Sequence, residues 1–284
     1  MLQFVLLIHC GDCNVNNQYK EVAIRFLRSK VRSWAINIRA MTLYRIKRLL
    51  KDFLIAKIPP YKYVEEYTLR SIHKFLDINP DSISSWCIVG GKLGSEVPII
   101  LQNYKNCKIS VFECSERYST RLTALFLHNQ RVEIIDKAVT DVIGKRNFFE
   151  TSLEGSGSVL PLGSLHKNLF YSLPAEEFWV ETTTLDFHFK DRRIDVLWID
   201  VQGAELLVLK GASETLTKCK AVFIEVSERP ELYEGGATKV QLDLHLRDFG
   251  FAEVLLGTDF NMTGNALYVR NSKHHTHQFV GFFE

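Results

Sequence analysis

The chain of 284 residues has few of the features that define several large protein classes. With 16 glycines and 7 prolines it is not collagen-like, and an apolar fraction of 46% excludes an intrinsically disordered chain. No apolar run reaches the length of about eighteen residues that a transmembrane helix requires. The six cysteines have no framework spacing, which predicts reduced thiols and a cytoplasmic protein.

Neither a targeting sequence nor a metal site is recognisable at the chain ends. The apolar residues 1–8 lack a preceding basic region, so we predict no signal peptide. Cys10 and Cys13 form a lone C-x-x-C pair beside His9, and no second pair follows at the spacing of a structural zinc site. The histidine-rich tail, 272–284, is interpreted as solvated. We therefore predict no bound metal.

Positive charge is concentrated in one segment. Residues 20–57 contain eleven lysines and arginines and two acids, a net charge of +9, whereas residues 58–284 carry −6. Apolar residues recur at helical steps over 43–54, and Pro59-Pro60 ends this pattern. We interpret residues 1–80 as a solvated helical arm. A basic arm can also bind nucleic acid, an anionic membrane or an acidic partner, but no specific nucleic-acid partner is predicted.

After residue 81, short apolar runs alternate with helical segments. The runs are bounded by polar turns and lie at 86–89, 108–112, 132–135, 194–199 and 221–226. This alternation is typical of βα units in a mainly parallel sheet with helices on both faces. Two further runs, 251–256 and 266–269, predict a C-terminal antiparallel hairpin. We predict a doubly wound α/β domain over 81–271, with a loop-rich insertion containing short strands at 144–184.

Glycines and one acid occupy positions where a parallel sheet places a ligand. Gly90, Gly91 and Gly94 follow the first predicted strand, and Glu113 ends the second. Ligands bind outside the carboxyl ends of such strands, where glycine admits a ligand to the backbone and an acid accepts hydrogen bonds from both ribose hydroxyls. The set therefore predicts a ligand that contains adenosine. A dinucleotide fingerprint needs glycine at position 89, where the chain has Val89, and this counts against NAD.

A second cluster follows a later strand. The apolar run 194–199 delivers Asp200 to the same sheet edge, Gly203 permits a sharp turn, and Glu205 opens the next helix. The stretch from Asp200 to Glu205 reads D-V-Q-G-A-E and continues into L-K-G-A. It resembles the signature I-D-x-(E/Q)-G-A-E followed by L-K-G-A of FkbM-type S-adenosylmethionine-dependent methyltransferases.

Other segments are similar to this family in the same order. Glu113 lies in a segment like its ribose-binding strand end, and Ala138 in one whose backbone lies near the adenine. The remaining matches are a serine-rich loop at 155–158, T-L-D at 184–186 and a fifth strand at 223–225. The resemblance thus covers residues 82–270.

One position departs from the family pattern. The first motif of the family reads D-x-G-A-x-x-G, and this chain has Ile88 in place of the acid. In the family that carboxylate helps to fix the glycine turn and the amino-acid end of the cofactor, so its replacement bears on cofactor affinity. Lys92, in the same turn, is a candidate partner for the carboxylate of the cofactor.

The resemblance implies a Rossmann-like class I methyltransferase fold with S-adenosyl-L-methionine as cofactor. It assigns cofactor binding to Gly90, Gly91, Gly94, Glu113, Ala138 and Asp200. Asp200 would take the proton of the acceptor, orient the acceptor, or equally bind the cofactor; Glu205 is the second catalytic candidate, followed by Glu225 and His166. The implied activity is O-methylation of a small-molecule or glycan acceptor, typically at a sugar hydroxyl. The alternatives are a non-catalytic binding module with this fold and an NAD-dependent oxidoreductase.

Overall fold

The computed structural model describes residues 60–151, 155–169, 176–258, 263–270 and 278–279. The chain divides between Ile58 and Pro59, and all described residues belong to the second unit. The basic segment 20–57, the C-x-x-C pair and the histidines of the tail lie outside the described residues.

Helices and strands alternate along the described chain. The helices are α1 (Pro60–Phe75), a 3₁₀ turn (Pro80–Ser82), α2 (Glu96–Asn103), α3 (Glu116–Phe126), α4 (Ser164–Leu169), α5 (Leu185–His188), α6 (Glu205–Lys210), α7 (Ser213–Lys218) and α8 (Lys239–Asp248). The strands are β1 (Ser85–Val89), β2 (Lys108–Phe112), β3 (Val132–Ile135), β4 (Ala138–Val139), β5 (Gly144–Glu150), β6 (Glu176–Thr183), β7 (Val196–Ile199), β8 (Ala221–Ser227), β9 (Phe251–Thr258), β10 (Thr263–Arg270) and β11 (Gln278–Phe279).

The main sheet has the order β11-β9-β10-β8-β7-β1-β2-β3. Strands β3, β2, β1, β7 and β8 run parallel, whereas β10 pairs antiparallel with both β8 and β9. The predicted doubly wound, mainly parallel sheet with a C-terminal antiparallel hairpin is therefore confirmed. The strand order reverses between β1 and β7, which creates the topological switch point where such sheets bind ligands.

Each central strand contributes to two apolar cores because its side chains alternate between the faces of the sheet. In β1, Trp86 and Ile88 enter one core, and Cys87 and Val89 enter the other. Both faces are covered by helices, so these strands are apolar throughout, as the continuous runs in the sequence indicated.

Helix α1 packs on the sheet domain. Leu69 and Ile72 are buried to 1% and 0% relative exposure in the same core as Trp86. The helix starts at Pro60, a position that suits proline because its missing N–H has no partner in the first helical turn. The prediction assigned this helix to an arm that ends at residue 80, whereas its apolar face completes the core of the domain.

A second sheet, with the order β4-β6-β5, occupies much of the predicted insertion. Strands β5 and β6 pair antiparallel over seven positions, from Gly144 opposite Thr182 to Glu150 opposite Glu176. The inner face of this sheet buries Phe148 and Val180, and the outer face leaves Trp179 68% exposed. Short strands were expected here, but their length was not, because a half-exposed strand rich in charge gives a weak apolar pattern.

Among the residues that the structure describes, no helix combines the length and apolar character needed to cross a membrane. Four described cysteines, Cys87, Cys107, Cys114 and Cys219, are free thiols, and three of them are buried.

Candidate cofactor and methyl-transfer site

A cleft opens at the carboxyl ends of β1, β2 and β7, at the switch point of the sheet. Its volume is about 770 Å³, a figure that includes the solvent at its mouth. The lining brings together residues that are far apart in the sequence: Gly90, Lys92, Glu113, Ser115, Ala138, Phe148, Glu150, Ser158, Asp200 and Gln202 among others.

The glycine turn after β1 is built by close backbone packing. Gly90 has φ +92°, and a Cβ there would lie 1.8 Å from the carbonyl oxygen of Asp200. Position 90 therefore requires glycine both for its left-handed backbone and for its contact with the loop after β7. Gly91 and Gly94 face Val111 and Leu122 rather than the cleft, so they fit the turn against β2 and α3. Their predicted contact with a cofactor stays a prediction.

Glu113 lies at the end of β2 and lines the cleft. One carboxylate oxygen accepts the backbone N–H of Lys92 at 2.7 Å and the other accepts that of Ser115 at 2.8 Å. Burial to 8% exposure raises the pKa of this carboxyl despite these two hydrogen bonds. A carboxylate offers about four lone-pair sites, so two bonds leave acceptor capacity for the hydroxyls of a ligand.

The position of the missing first-motif acid is apolar and closed. Ile88 is fully buried in the core on one face of the sheet. Lys92 instead adopts φ +42°, and its ammonium lies over Gly155, 2.3 Å from where a Cβ on that glycine would be. The cation lines the cleft and acts electrostatically on Asp200.

Asp200 follows β7 and is exposed to the cleft. Its Oδ1 accepts a hydrogen bond from the side-chain amide of Gln202 at 2.8 Å. Many protein atoms surround the carboxyl, and this burial raises its pKa, while the amide of Gln202 and the charge of Lys92 oppose the shift. The residue thus combines access to a ligand with a proton affinity above that of an ordinary aspartate.

Glu225 and Tyr233 lie on the other side of Gln202. The same amide nitrogen donates to Oε2 of Glu225 at 2.9 Å, and the amide oxygen accepts the hydroxyl of Tyr233 at 2.9 Å. Burial and the neighbouring Asp200 raise the pKa of Glu225 well above its usual range. Glu225, on β8, is thereby joined to the loop after β7.

Glu205 faces away from the cleft. It is 3% exposed, and its Oε1 accepts the backbone N–H groups of Val201 at 3.1 Å and Gly203 at 3.2 Å. Burial raises its pKa to about 7. This geometry makes Glu205 a brace of the loop that carries Asp200, and the predicted catalytic role has no contact with the cleft to support it.

The structure also shows the surroundings of Ala138 and His166, two further residues predicted from the sequence. Ala138 is buried on β4 and, with Phe148 and Val139, forms an apolar wall of the cleft. His166 is 2% exposed on α4, and its ring centre lies 5.5 Å from that of Tyr233. It is not among the residues that line the cleft.

Gln202 and Tyr233 were not predicted from the sequence to belong to the site. Gln202 lies within the D-V-Q-G-A-E motif, so its place in the sequence does indicate a position beside Asp200. Tyr233 lies 31 residues further along the chain, in a loop without a motif. No group of His, Cys, Asp and Glu side chains suitable for a metal occurs in the described part of the chain.

Comparison with known proteins decides the family. The model of the methyltransferase FkbM domain matches residues 63–253, which is more than half of the chain. The chain belongs to the FkbM methyltransferase family. The predicted family is therefore confirmed, and the matched part of the chain is a methyltransferase domain.

Individual relatives of this FkbM chain have low sequence identity to it. The 2-O-methyltransferase NoeI of Sinorhizobium fredii NGR234 is 30% identical over 159 residues, which cover 52% of this chain and 64% of that protein. The chain thus aligns with less than two thirds of the length of this relative.

Two examples illustrate the similarity of this chain to solved structures. The N-methyltransferase NodS of Bradyrhizobium japonicum WM9 has 7% identity and a TM-score of 0.43, covering 74% of this chain and 94% of that one. Magnesium protoporphyrin IX methyltransferase of Synechocystis PCC 6803 with bound SAM has 12% identity and a TM-score of 0.41, covering 72% and 79%.

Proposed function

We propose that the protein transfers a methyl group from S-adenosyl-L-methionine to a hydroxyl of a sugar or glycan. The observation that carries the proposal is the pair of acids in one cleft, Glu113 at the end of β2 and Asp200 at the end of β7, with the glycine turn between them. Membership of the FkbM family supports this cofactor.

The residues present fit this cofactor. Gly90 exposes bare backbone, Glu113 has lone pairs to spare for ribose hydroxyls, and the wall formed by Ala138 and Phe148 suits adenine. Lys92 would pair with the carboxylate at the amino-acid end and so offset the loss of the acid at position 88. When bound, the cofactor supplies an electrophilic methyl group.

Asp200 would hold the acceptor and take its proton. Its carboxylate faces the cleft, and burial raises its pKa, so it binds a proton more readily than an ordinary aspartate. A base in this position raises the nucleophilicity of an acceptor hydroxyl and, by hydrogen bonding, orients it. If Asp200 instead binds the cofactor, its substitution would lower cofactor affinity as well as turnover.

The lining of the cleft favours a polyhydroxylated acceptor. Ser115, Glu150, Thr151 and Ser158 contribute hydroxyl and carboxylate groups to this lining. Such groups match the hydrogen-bonding needs of a carbohydrate better than those of an apolar acceptor. The relative named a 2-O-methyltransferase supports oxygen as the atom methylated.

Asp200→Asn tests the proposal because it keeps the size of the side chain and removes its charge and basicity. We expect turnover on sugars, nucleotide sugars and short glycans to fall about 10²–10⁴-fold, with affinity for S-adenosylhomocysteine unchanged within a few-fold. Isothermal titration calorimetry measures the affinity. The control is Asp191→Asn, at an exposed position outside the cleft.

Other outcomes identify the competing functions. A parallel loss of affinity and rate in Asp200→Asn would mean that Asp200 chiefly binds the cofactor. Failure of the parent protein to bind S-adenosylhomocysteine, together with no turnover of any acceptor, would favour the binding module, as Ile88 in the first motif would suggest. A thermal shift with NAD alone would indicate the oxidoreductase.

A further inference from the structure

Gln202 is held in an unusual backbone conformation at the centre of a polar cluster. Its φ is +58°, in the left-handed region that few residues other than glycine adopt. The next residue, Gly203, has φ +92°, and a Cβ there would lie 2.8 Å from the ring of Tyr233. Strained backbone of this kind persists where the surroundings over-determine it, and it concentrates at functional sites.

The side chain of Gln202 connects two carboxyl groups. Its Nε2 donates to Asp200 at 2.8 Å and to Glu225 at 2.9 Å, so both hydrogens of the amide are used. The reverse orientation would place the amide oxygen against two carboxyl oxygens. The hydroxyl of Tyr233 donates to the amide oxygen at 2.9 Å and thereby favours the observed orientation.

Tyr233 also connects this cluster to the wall of the cleft. Its hydroxyl lies 3.1 Å from the carbonyl oxygen of Ser156, and Ser156 belongs to the serine-rich loop at 155–158. The hydroxyl has one proton, which these two acceptors share. Tyr233 thus joins a loop that lines the cleft to the amide that contacts Asp200.

Asp200 and Glu225 would repel each other strongly if both were charged, because one amide nitrogen contacts both and they therefore lie close together. Glu96 and Asp200 repel each other, Glu205 adds negative potential at Glu225, and the positive charge of Lys92 acts on Asp200. Asp200 has access to the cleft and to this cation, whereas Glu225 is half-buried behind the amide. The proton therefore belongs on Glu225.

We propose that Gln202 and Tyr233 are positioning residues that hold Asp200 and Glu225 as a pair sharing one proton, with Asp200 ionised and turned to the cleft. This rests on the proposed function, in which Asp200 accepts the proton that a hydroxyl acceptor loses. After that transfer each carboxyl holds one proton, and the extra proton leaves to solvent from Asp200, the member of the pair that faces the cleft.

Infrared titration tests the shared proton without substrate or cofactor. At pH 7 the parent protein should show the carbonyl band of a protonated carboxyl that disappears in Glu225→Gln. In Tyr233→Phe the ionisation of Asp200, identified by its loss in Asp200→Asn, should move by more than about half a pH unit. Tyr268→Phe is the matched control, since it also removes a buried tyrosine hydroxyl; this one donates to Asp243, and neither residue lines the cleft.

Kinetics then test positioning. Tyr233→Phe should lower kcat about tenfold and shift the acid limb of the pH profile, with KM and affinity for S-adenosylhomocysteine within threefold of the parent. The proposal is overturned if the parent has no band that Glu225→Gln removes, or if Tyr233→Phe and Tyr268→Phe have the same profile as the parent. If no acceptor is methylated but the infrared results hold, the proposed function fails while the shared proton stands.

Discussion

At the scale of single residues, Glu113 fixes a local turn and is also proposed to bind the cofactor. Its two oxygens accept the N–H groups of Lys92 and Ser115, which fixes the turn between β1 and α2 to the end of β2. The same carboxylate lines the cleft, where its remaining lone pairs would accept the ribose hydroxyls of the proposed cofactor. A substitution therefore affects both the local structure and the affinity of the site.

Glu113→Gln should weaken the binding of S-adenosylhomocysteine about 30- to 100-fold, because charge-assisted hydrogen bonds to the ribose become neutral ones and one oxygen is replaced by a donor. Calorimetry at a temperature well below unfolding measures this loss. Glu133→Gln, an exposed acid on β3, should bind within twofold of the parent. Equal affinity in Glu113→Gln and the parent would remove Glu113 from the cofactor site.

The raised pKa of Glu205 predicts how the stability of the fold depends on pH. Its pKa in the folded protein is about 7, above the 4.5 of an ordinary glutamate, so the unfolded chain ionises first as pH rises. The fold therefore loses stability between about pH 4.5 and 7 and carries the full penalty above pH 7. Glu205→Gln keeps an acceptor for Val201 and Gly203 without the charge.

Glu205→Gln should thus be more stable than the parent at pH 8, by about 1–3 kcal/mol, and the difference should vanish below pH 4.5. Urea unfolding at a series of pH values measures it. A loss of turnover with no gain in stability would instead favour the catalytic role predicted from the motif.

At the scale of elements, Arg270 joins the hairpin to two helices. From the end of β10, its Nε donates to the carbonyl of Cys219 at 3.0 Å, one Nη to that of Phe249 at 2.7 Å, and the other to that of Leu216. Its guanidinium lies 4.5 Å from the ring centre of Phe251. These carbonyl groups lie at the C-terminal ends of α7 and α8, where the last carbonyl oxygens of a helix have no N–H partner within the helix.

Arg270→Lys should destabilise the fold by about 2–4 kcal/mol, because an ammonium cannot reach three divergent carbonyls and stack on a ring at once. Arg247→Lys, on the exposed side of α8, is the matched control and should change stability by less than about 0.5 kcal/mol. Chemical unfolding of both variants gives the comparison. If the two variants lose similar amounts of stability, water satisfies the carbonyl groups of Leu216 and Phe249 as well as Arg270 does.

At the scale of the whole molecule, the start of the folded domain depends on α1. Leu69 and Ile72 are buried in its core, although they precede the predicted boundary at residue 81. A fragment of residues 58–284 should unfold cooperatively and bind S-adenosylhomocysteine like the full chain. A fragment of residues 81–284 should lose at least about 3 kcal/mol, since each of these side chains contributes about 1.5–3 kcal/mol on burial.

Circular dichroism melts and calorimetry of the two fragments measure this difference. If 58–284 fails to fold, the basic segment belongs to the core. If 81–284 matches 58–284 in stability, α1 contributes nothing and the boundary belongs at residue 81.

Much of the candidate site could be predicted because its residues follow strands. The ends of parallel strands meet at one edge of the sheet, so a strand pattern followed by Glu113 or Asp200 already places these acids together. The direction of a side chain is not encoded in this way. Asp200 and Glu205 belong to one motif, yet one faces the cleft and the other turns to the N–H groups of its own loop.

The sequence by itself determined the central sheet, its hairpin and the family, because buried strands are continuous apolar runs and the motif is local. Only the tertiary structure decided which groups meet across large separations. Tyr233 reaches Gln202 over 31 positions, and Asn147 pairs with Trp179 in the second sheet. It also decided that Ile88 is core and that Lys92 lines the cleft. Such contacts form when packing and hydrogen bonding bring distant segments together, and no local periodicity records them.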